Sequence, residues 1–298
     1  MRIASLGECM VELSPRPGGL YALGYGGDTL NTGVYLARLG VATDYVTAMG
    51  DDSLSERVIA AWAAEGVGVD LVRRLPGRMP GLYLIETDEK GERRFHYWRD
   101  RAPARELFEL GLPPIDHDLI YLSGISLGIW GERGRAAALD LARTVRQRGG
   151  RVAFDNNYRP RVWPDAQTAR EAMMRLLAQV DVALLSLEDE QMLHGGDAPA
   201  AIERARRAGV TEVVIKDAQA DAWVATGDTV ERVPSVANVK PVDTTGAGDS
   251  FNAGYLAARA RGTSPTTAAR EAHRLAAVVI QHPGAIIPRD AMPGRLAA

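Results

Sequence analysis

Asp243-Thr244-Thr245-Gly246-Ala247-Gly248-Asp249-Ser250-Phe251 is the stretch of this sequence richest in chemistry. Two glycines permit a tight turn whose backbone N–H groups point one way. The residues that follow, Phe251 to Arg261, have helical composition. A helix N-terminus adds unpaired N–H groups and a partial positive charge. Together, loop and helix start form an anion site, and such donors can stabilise charge developing on a transferring phosphoryl group. Asp249 has two readings there. It can cap the helix start, or it can take a proton from an alcohol held beside the anion. A carboxylate repels a phosphate placed too close, so the second task concerns an acceptor hydroxyl. No Lys-Ser or Lys-Thr follows the glycines, which excludes a Walker A loop, and the spacing does not fit a dinucleotide fingerprint.

These residues need elements to position them. From Leu119 onward, short apolar runs alternate with helical stretches. Strands are expected at Leu119 to Ser123, Val152 to Asp155, Val182 to Leu185 and Glu212 to Lys216. Helices are expected over Arg135 to Arg148, around Ala169 to Val180, and over Ile202 to Ala208. That alternation predicts a parallel sheet covered on both faces, the α/β class. Met1 to Glu8 reads as a first strand, and Asn31 to Leu39 and Ser55 to Glu65 as helices. Residues 80–100 read as a hairpin around Asp88-Glu89-Lys90-Gly91, with Leu82 and Leu84 on one face and Tyr83 and Ile85 on the other. Residues 8–30 are rich in Gly and Pro with few helix formers. A small antiparallel β unit is therefore expected to be inserted into the α/β domain.

Several function classes are excluded or weakened by composition. Net charge is −3 from 35 basic and 38 acidic residues, so no basic excess points to nucleic acid or a membrane surface. Cys9 is the one cysteine, so an intrachain disulfide and multi-cysteine zinc sites are excluded. His96, His117, His194, His273 and His282 make no zinc-ligand spacing. No run of about 18 apolar residues exists, and the first residues are too short for a signal-peptide core, so a cytoplasmic protein is expected. Gly124-Ile125-Ser126-Leu127-Gly128 matches a nucleophile elbow, with His194, His273 and His282 downstream. That hydrolase reading leaves the Gly246-Ala247-Gly248-Asp249 region unexplained.

The same residues resemble a known family. Asp243 to Phe251 is similar to the C-terminal D-T-x-G-A-G-D-x-F signature of the pfkB (ribokinase-like) carbohydrate kinases. Gly26-Gly27-Asp28-Thr29-Leu30-Asn31 resembles their N-terminal glycine element, and Gly50-Asp51-Asp52 their G-x-D. The resemblance runs over roughly residues 2 to 293. Gly7-Glu8-Cys9-Met10-Val11-Glu12-Leu13, Pro80-Gly81-Leu82-Tyr83, Tyr97-Trp98-Arg99, Leu122 to Ser126, Asp155-Asn156-Asn157-Tyr158-Arg159-Pro160-Arg161 and Gly284 to Arg289 resemble the branch that acts on 2-dehydro-3-deoxygluconate.

The resemblance implies a ribokinase-like three-layer α/β/α fold over residues 1–298 as a single domain, with a β-sheet lid from about 8–30 and 80–100. It implies ATP and Mg²⁺ as co-substrate and metal, and transfer of the γ-phosphoryl group to the sugar's terminal hydroxyl. Asp249 would be the general base and Gly246, Ala247 and Gly248 the anion hole. Gly27, Asp28 and Asn31 would meet the sugar, with Tyr83, Tyr97, Arg99 and Arg159 binding the acid sugar. The last pair suits a carboxylate, because a guanidinium offers a planar donor fork. Ser186, Lys216 and Thr245 would meet the nucleotide, and Asp189 would serve the metal. Two strings depart from the family. Ser186-Leu187-Glu188-Asp189 replaces Asn-x-x-Glu, and Lys216-Asp217-Ala218 replaces Lys-x-Gly. A homo-oligomer is expected, because an exposed lid has edges that pair readily. A kinase for fructose or another keto-deoxy acid, and a non-catalytic sugar-acid sensor, are the alternatives.

Overall fold

The computed structural model describes residues 1–87, 93–218 and 221–293. The expected hairpin turn at 88–91 lies outside the described residues. In chain order the strands are β1 (Arg2–Leu6), β2 (Met10–Arg16), β3 (Leu20–Gly26), β4 (Ala42–Val46), β5 (Ala48–Gly50), β6 (Arg73–Leu75), β7 (Gly81–Thr87), β8 (Arg93–Trp98), β9 (Leu119–Ser123), β10 (Arg151–Asp155), β11 (Val182–Ser186), β12 (Glu212–Lys216), β13 (Ala222–Thr226) and β14 (Thr229–Val233). The helices are α1 (Asp28–Arg38), α2 (Ser53–Ala64), α3 (Gly124–Ile129), α4 (Gly131–Gln147), α5 (Ala166–Leu177), α6 (Leu187–His194), α7 (Ala198–Arg207), α8 (Ala247–Ala260) and α9 (Pro265–Val279).

Eight strands form one sheet in the order β14-β13-β12-β11-β10-β9-β1-β4. It is parallel from β12 to β4, and β13 and β14 add an antiparallel edge. Alternate residues of each strand feed two separate cores, as the two-residue period requires. Ala4, Ile120, Phe154, Leu185 and Ile215 pack with α4, α5 and α7 on one face. Ile3, Tyr121, Ala153, Leu184 and Val214 pack with residues of α1, α8 and α9 on the other. The fold is thus a three-layer α/β/α sandwich, as the strand–helix alternation predicts.

A second sheet, in the order β3-β2-β7-β8, stands apart from the first. It joins the main layers through a third core of Cys9, Val11, Leu30, Val34, Tyr45 and Trp62. Cys9 is buried there as a small apolar residue. Tyr83 pairs with Tyr97 and Ile85 with Phe95 across β7 and β8, on the face opposite Leu82 and Leu84, as the alternation predicts.

Local sequence sets several helix starts. Asp52, Asp165, Ser186, Asp197 and Ser264 each accept a backbone N–H of the first turn through the side chain. The helix expected from Phe251 starts four residues earlier, at Ala247, so Asp249 lies inside its first turn. Ser126 is fully buried, and its hydroxyl donates to the Leu6 carbonyl and meets Ser123. It is a packing residue at the start of α3, which removes the hydrolase reading.

Candidate active site

One cleft of about 2310 Å³ runs between the small sheet and the carboxyl ends of the parallel strands. Open α/β sheets characteristically bind ligands at that end. Glu8 follows β1, Asp155 ends β10, Ser186 ends β11 and Lys216 ends β12, and all four line the cleft.

At its centre lies the loop leading into α8. Gly246 is in the left-handed region at φ 77°, and a Cβ there would stand 2.6 Å from the Ala285 carbonyl oxygen. Only glycine suits both constraints. The turn is drawn together by Asp243, which accepts from the backbone N–H of Thr245, the Thr245 hydroxyl and the backbone N–H of Gly284. Gly246, Ala247 and Gly248 open α8 toward the cleft, so its first N–H groups and its positive end face the cavity.

Asp249 sits in the first turn of α8, half-buried, and lines the same cavity. The Asn31 amide donates to its Oδ2 at 2.8 Å, and the Thr32 hydroxyl to its backbone carbonyl. Burial, with the nearby Asp28 and Asp155 charges, pushes its carboxyl up to about 7, while Asn31 and Lys216 oppose the rise. Asp28 is raised by burial too, and accepts from the Asn157 amide at 2.7 Å. A carboxylate ionised only near neutrality, beside a helix N-terminus, has the properties of a general base.

Lys216 is tied inward. Its Nζ lies 3.0 Å from both Asp155 Oδ2 and Asn252 Oδ1, and Asn252 in turn donates to Asp155 and Tyr121. The same Nζ is the nearest neighbour of a Cβ built on Gly248, at 3.8 Å, so its charge reaches the anion loop. Ser186 caps α6 through Asp189 N–H while lining the cleft, and Thr245 lines it as well.

The remaining expected residues gather at the other end of the cleft. Gly27 precedes α1, where a Cβ would collide with the Glu8 carbonyl. Tyr83, Phe95 and Tyr97 form an aromatic row with ring centroids 6.0–6.3 Å apart. The Tyr83 hydroxyl donates to Glu12. Arg99 is not an idle donor fork, because its Nη2 pairs with the buried Glu8. Arg159 donates to the Tyr158 carbonyl and to Asp189 at 3.2 Å. Asp189 is buried, which pushes its carboxyl up to about 6 against the pull of Arg159.

Glu8, which lies in the Gly7–Leu13 string but had no role assigned from sequence, also lines the cleft. Two further groups of lining residues carry no motif signal, Arg105 on the turn Pro103–Glu106 and an apolar wall of Val236, Val239, Ala276, Ala277 and Ile280. Ile280 of that wall accepts the backbone N–H groups of Val242 and Asp243 at the start of the anion loop, and an apolar wall there suits a flat heterocycle. No group of three or more His, Cys, Asp or Glu side chains converges among the described residues. Asp189, the residue expected to serve a metal, lines the cleft as a buried carboxylate paired with Arg159.

A model of the pfkB family carbohydrate kinases matches residues 2–292. The 2-dehydro-3-deoxygluconokinase of Dickeya dadantii (strain 3937) is 48% identical over 98% of each chain. The protein of that name from Escherichia coli (strain K12) is 45% identical over 98% of this chain and 99% of its own. Among solved structures, the aminoimidazole riboside kinase of Salmonella enterica, complexed with aminoimidazole riboside and an ATP analogue, superposes with a TM-score of 0.87. It is 25% identical, and the match covers 99% of this chain and 97% of that one. With the family model spanning nearly every residue and such identities held end to end, this chain belongs to the pfkB family of carbohydrate kinases.

Proposed function

We propose that the protein transfers the γ-phosphoryl group of ATP to the 6-hydroxyl of 2-dehydro-3-deoxy-D-gluconate, giving the 6-phosphate and ADP. The observation that carries this reading is the single cleft joining an anion loop, a carboxyl near neutrality and a guanidinium-rich end, in a chain 48% identical to a 2-dehydro-3-deoxygluconokinase. The terminal hydroxyl of the sugar sits against Asp249, which takes its proton as the oxygen attacks phosphorus. Backbone N–H groups of Gly246 to Gly248 and the start of α8 hold the equatorial oxygens of the transferring group. Lys216 adds positive charge beside them. Asn31 orients Asp249, Gly27 and Asp28 meet the sugar, and Tyr83, Tyr97, Arg99 and Arg159 close round its acid end. Ser186, Thr245 and the apolar wall receive the nucleotide. Asp189, together with the nucleotide phosphates, would hold Mg²⁺, which would supply neutralisation of phosphate charge.

The small sheet acts as a lid that excludes water from the acceptor position. Its outward face exposes Tyr21 and Trp98 beside the half-buried Leu13, Leu23 and Leu84, and β3 and β8 leave open edges. A second copy of this chain is the occupant that reading gives the face.

The test is ADP release with Mg²⁺-ATP on 2-dehydro-3-deoxygluconate, its galactonate epimer, fructose, ribose and no sugar. Selective turnover of the keto-deoxy acids is expected. Turnover of fructose or ribose alone overturns the substrate, and acid binding with no turnover would identify a sensor.

A further inference from the structure

Arg99 and Arg159, the two guanidinium groups that the motifs bring to the sugar end, are both already matched by carboxylates. Arg99 is faced by Glu8, whose side chain is only 2% exposed, and Arg159 by Asp189, at 6%. The Arg99–Glu8 pair is neutral and buried, whereas the Arg159 side chain is exposed, where solvent screens its charge. An incoming sugar carboxylate placed against Arg99 would also lie against Glu8, and like charges at that range repel.

The same end of the cleft holds a third guanidinium. Arg105 lines the cavity, is half-buried, and its side chain forms no hydrogen bond or ion pair among the described residues. Burial raises the Glu8 carboxyl above its ordinary value, and the charges of its ion-pair partner Arg99 and of Arg105 oppose that rise, which places Arg105 within electrostatic reach of the pair. Its support is fixed. Pro103 and Ala104 are buried, the Trp130 indole donates to the Ala104 carbonyl, and the neighbouring Glu106 is held by Arg78. Arg94 and Arg161 also border the cleft, but both are exposed, where solvent screens them. We infer that Arg105 supplies the uncompensated positive charge that selects an acidic sugar, with Glu8 and Arg99 as a neutral donor–acceptor pair beside it. Glu8, Arg99 and Arg105 together carry one surplus positive charge, and one sugar carboxylate balances it.

The inference rests on the acid-sugar reading above, and its test separates the two. The readout is the ratio of kcat/KM for 2-dehydro-3-deoxygluconate to that for its methyl ester, which differ in one charge. A charge-assisted contact sets the expected size. The parent enzyme should prefer the acid, and Arg105→Met should cut that preference about 10–100-fold. Arg105→Lys should retain most of it. Glu8→Gln added to Arg105→Met restores the surplus charge and should recover part of the preference, a rescue that a merely structural role for Arg105 would not produce. If Arg105→Met, folded by its thermal melt, keeps the parental preference, the inference fails while the substrate reading stands. Loss of preference in Arg105→Lys equal to that in Arg105→Met, with no rescue by Glu8→Gln, also overturns it. A parent enzyme that turns over only neutral sugars overturns both.

Discussion

The most consequential single residue is Asp249, because its environment sets both its chemistry and its cost. Replacement by Asn keeps the shape and removes the proposed base, so kcat should fall about 10²–10⁴-fold in the ADP-release assay. In the parent enzyme kcat/KM should decline as pH drops through about 7, the pH at which Asp249 takes up its proton. The same carboxyl acts on stability with a definite sign. Unfolded, it ionises near pH 4. Folded, it holds its proton to about pH 7, so between those values the native state binds more protons and stability falls as pH rises. Asp249→Asn should therefore be more stable than the parent at pH 8, by about 1–3 kcal/mol in urea titrations, with the gain gone below pH 4. Asp249 was legible in the sequence as the carboxylate of a Gly-Ala-Gly-Asp string before a helix, with a helix cap and a proton acceptor both open to it. Arg105 was not, since a lone arginine in an unremarkable loop gains meaning only from the Glu8–Arg99 pair that the fold brings beside it. The partners of Arg99 and Arg159 were equally invisible, being 91 and 30 residues away.

At the scale of elements, the loop and α8 act as one device. The left-handed Gly246 turns the chain, and its missing side chain lets Ala285 close over the turn. Gly246→Ala must either twist the loop or push back the 284–287 segment. Left-handed strain on Ala alone is about 1–2 kcal/mol. Misaimed N–H donors should lower kcat about 10–10³-fold, more than they alter the melting temperature, which stopped-assay kinetics beside a thermal melt will show. The periodic elements were readable to within a few residues, because β9, β10, β11 and β12 are short apolar runs and α5 has a clear stripe. Edge strands β13 and β14 were missed, since Thr229–Val233 is mostly exposed and carries no alternation to detect. The apolar wall was missed for a related reason. Val236 and Ile280 are ordinary apolar residues until α9 and the loop after β14 are folded side by side.

For the whole molecule, the small sheet has a second proposed task beside closure over the sugar. Its outward residues include Leu84, which shares a face with Trp98 and Leu13. Leu84→Glu should shift the sedimentation profile toward monomer at micromolar concentration, because a charge in an apolar contact is costly to bury. An unchanged profile would place the contact between copies elsewhere. Sheet order carries a different consequence, for biosynthesis. β1 lies between β4 and β9, so the first strand off the ribosome gains one neighbour after about 40 residues and the other only after residue 119. At roughly 5–20 residues per second, its second edge waits on the order of 6–24 s for a partner. During that interval Ile3, Ala4 and Leu6, wholly buried in the finished protein, depend on shielding by chaperones or by a fast-docking α1. Codon choice between residues 50 and 120 therefore governs how long the nascent chain is exposed to aggregation.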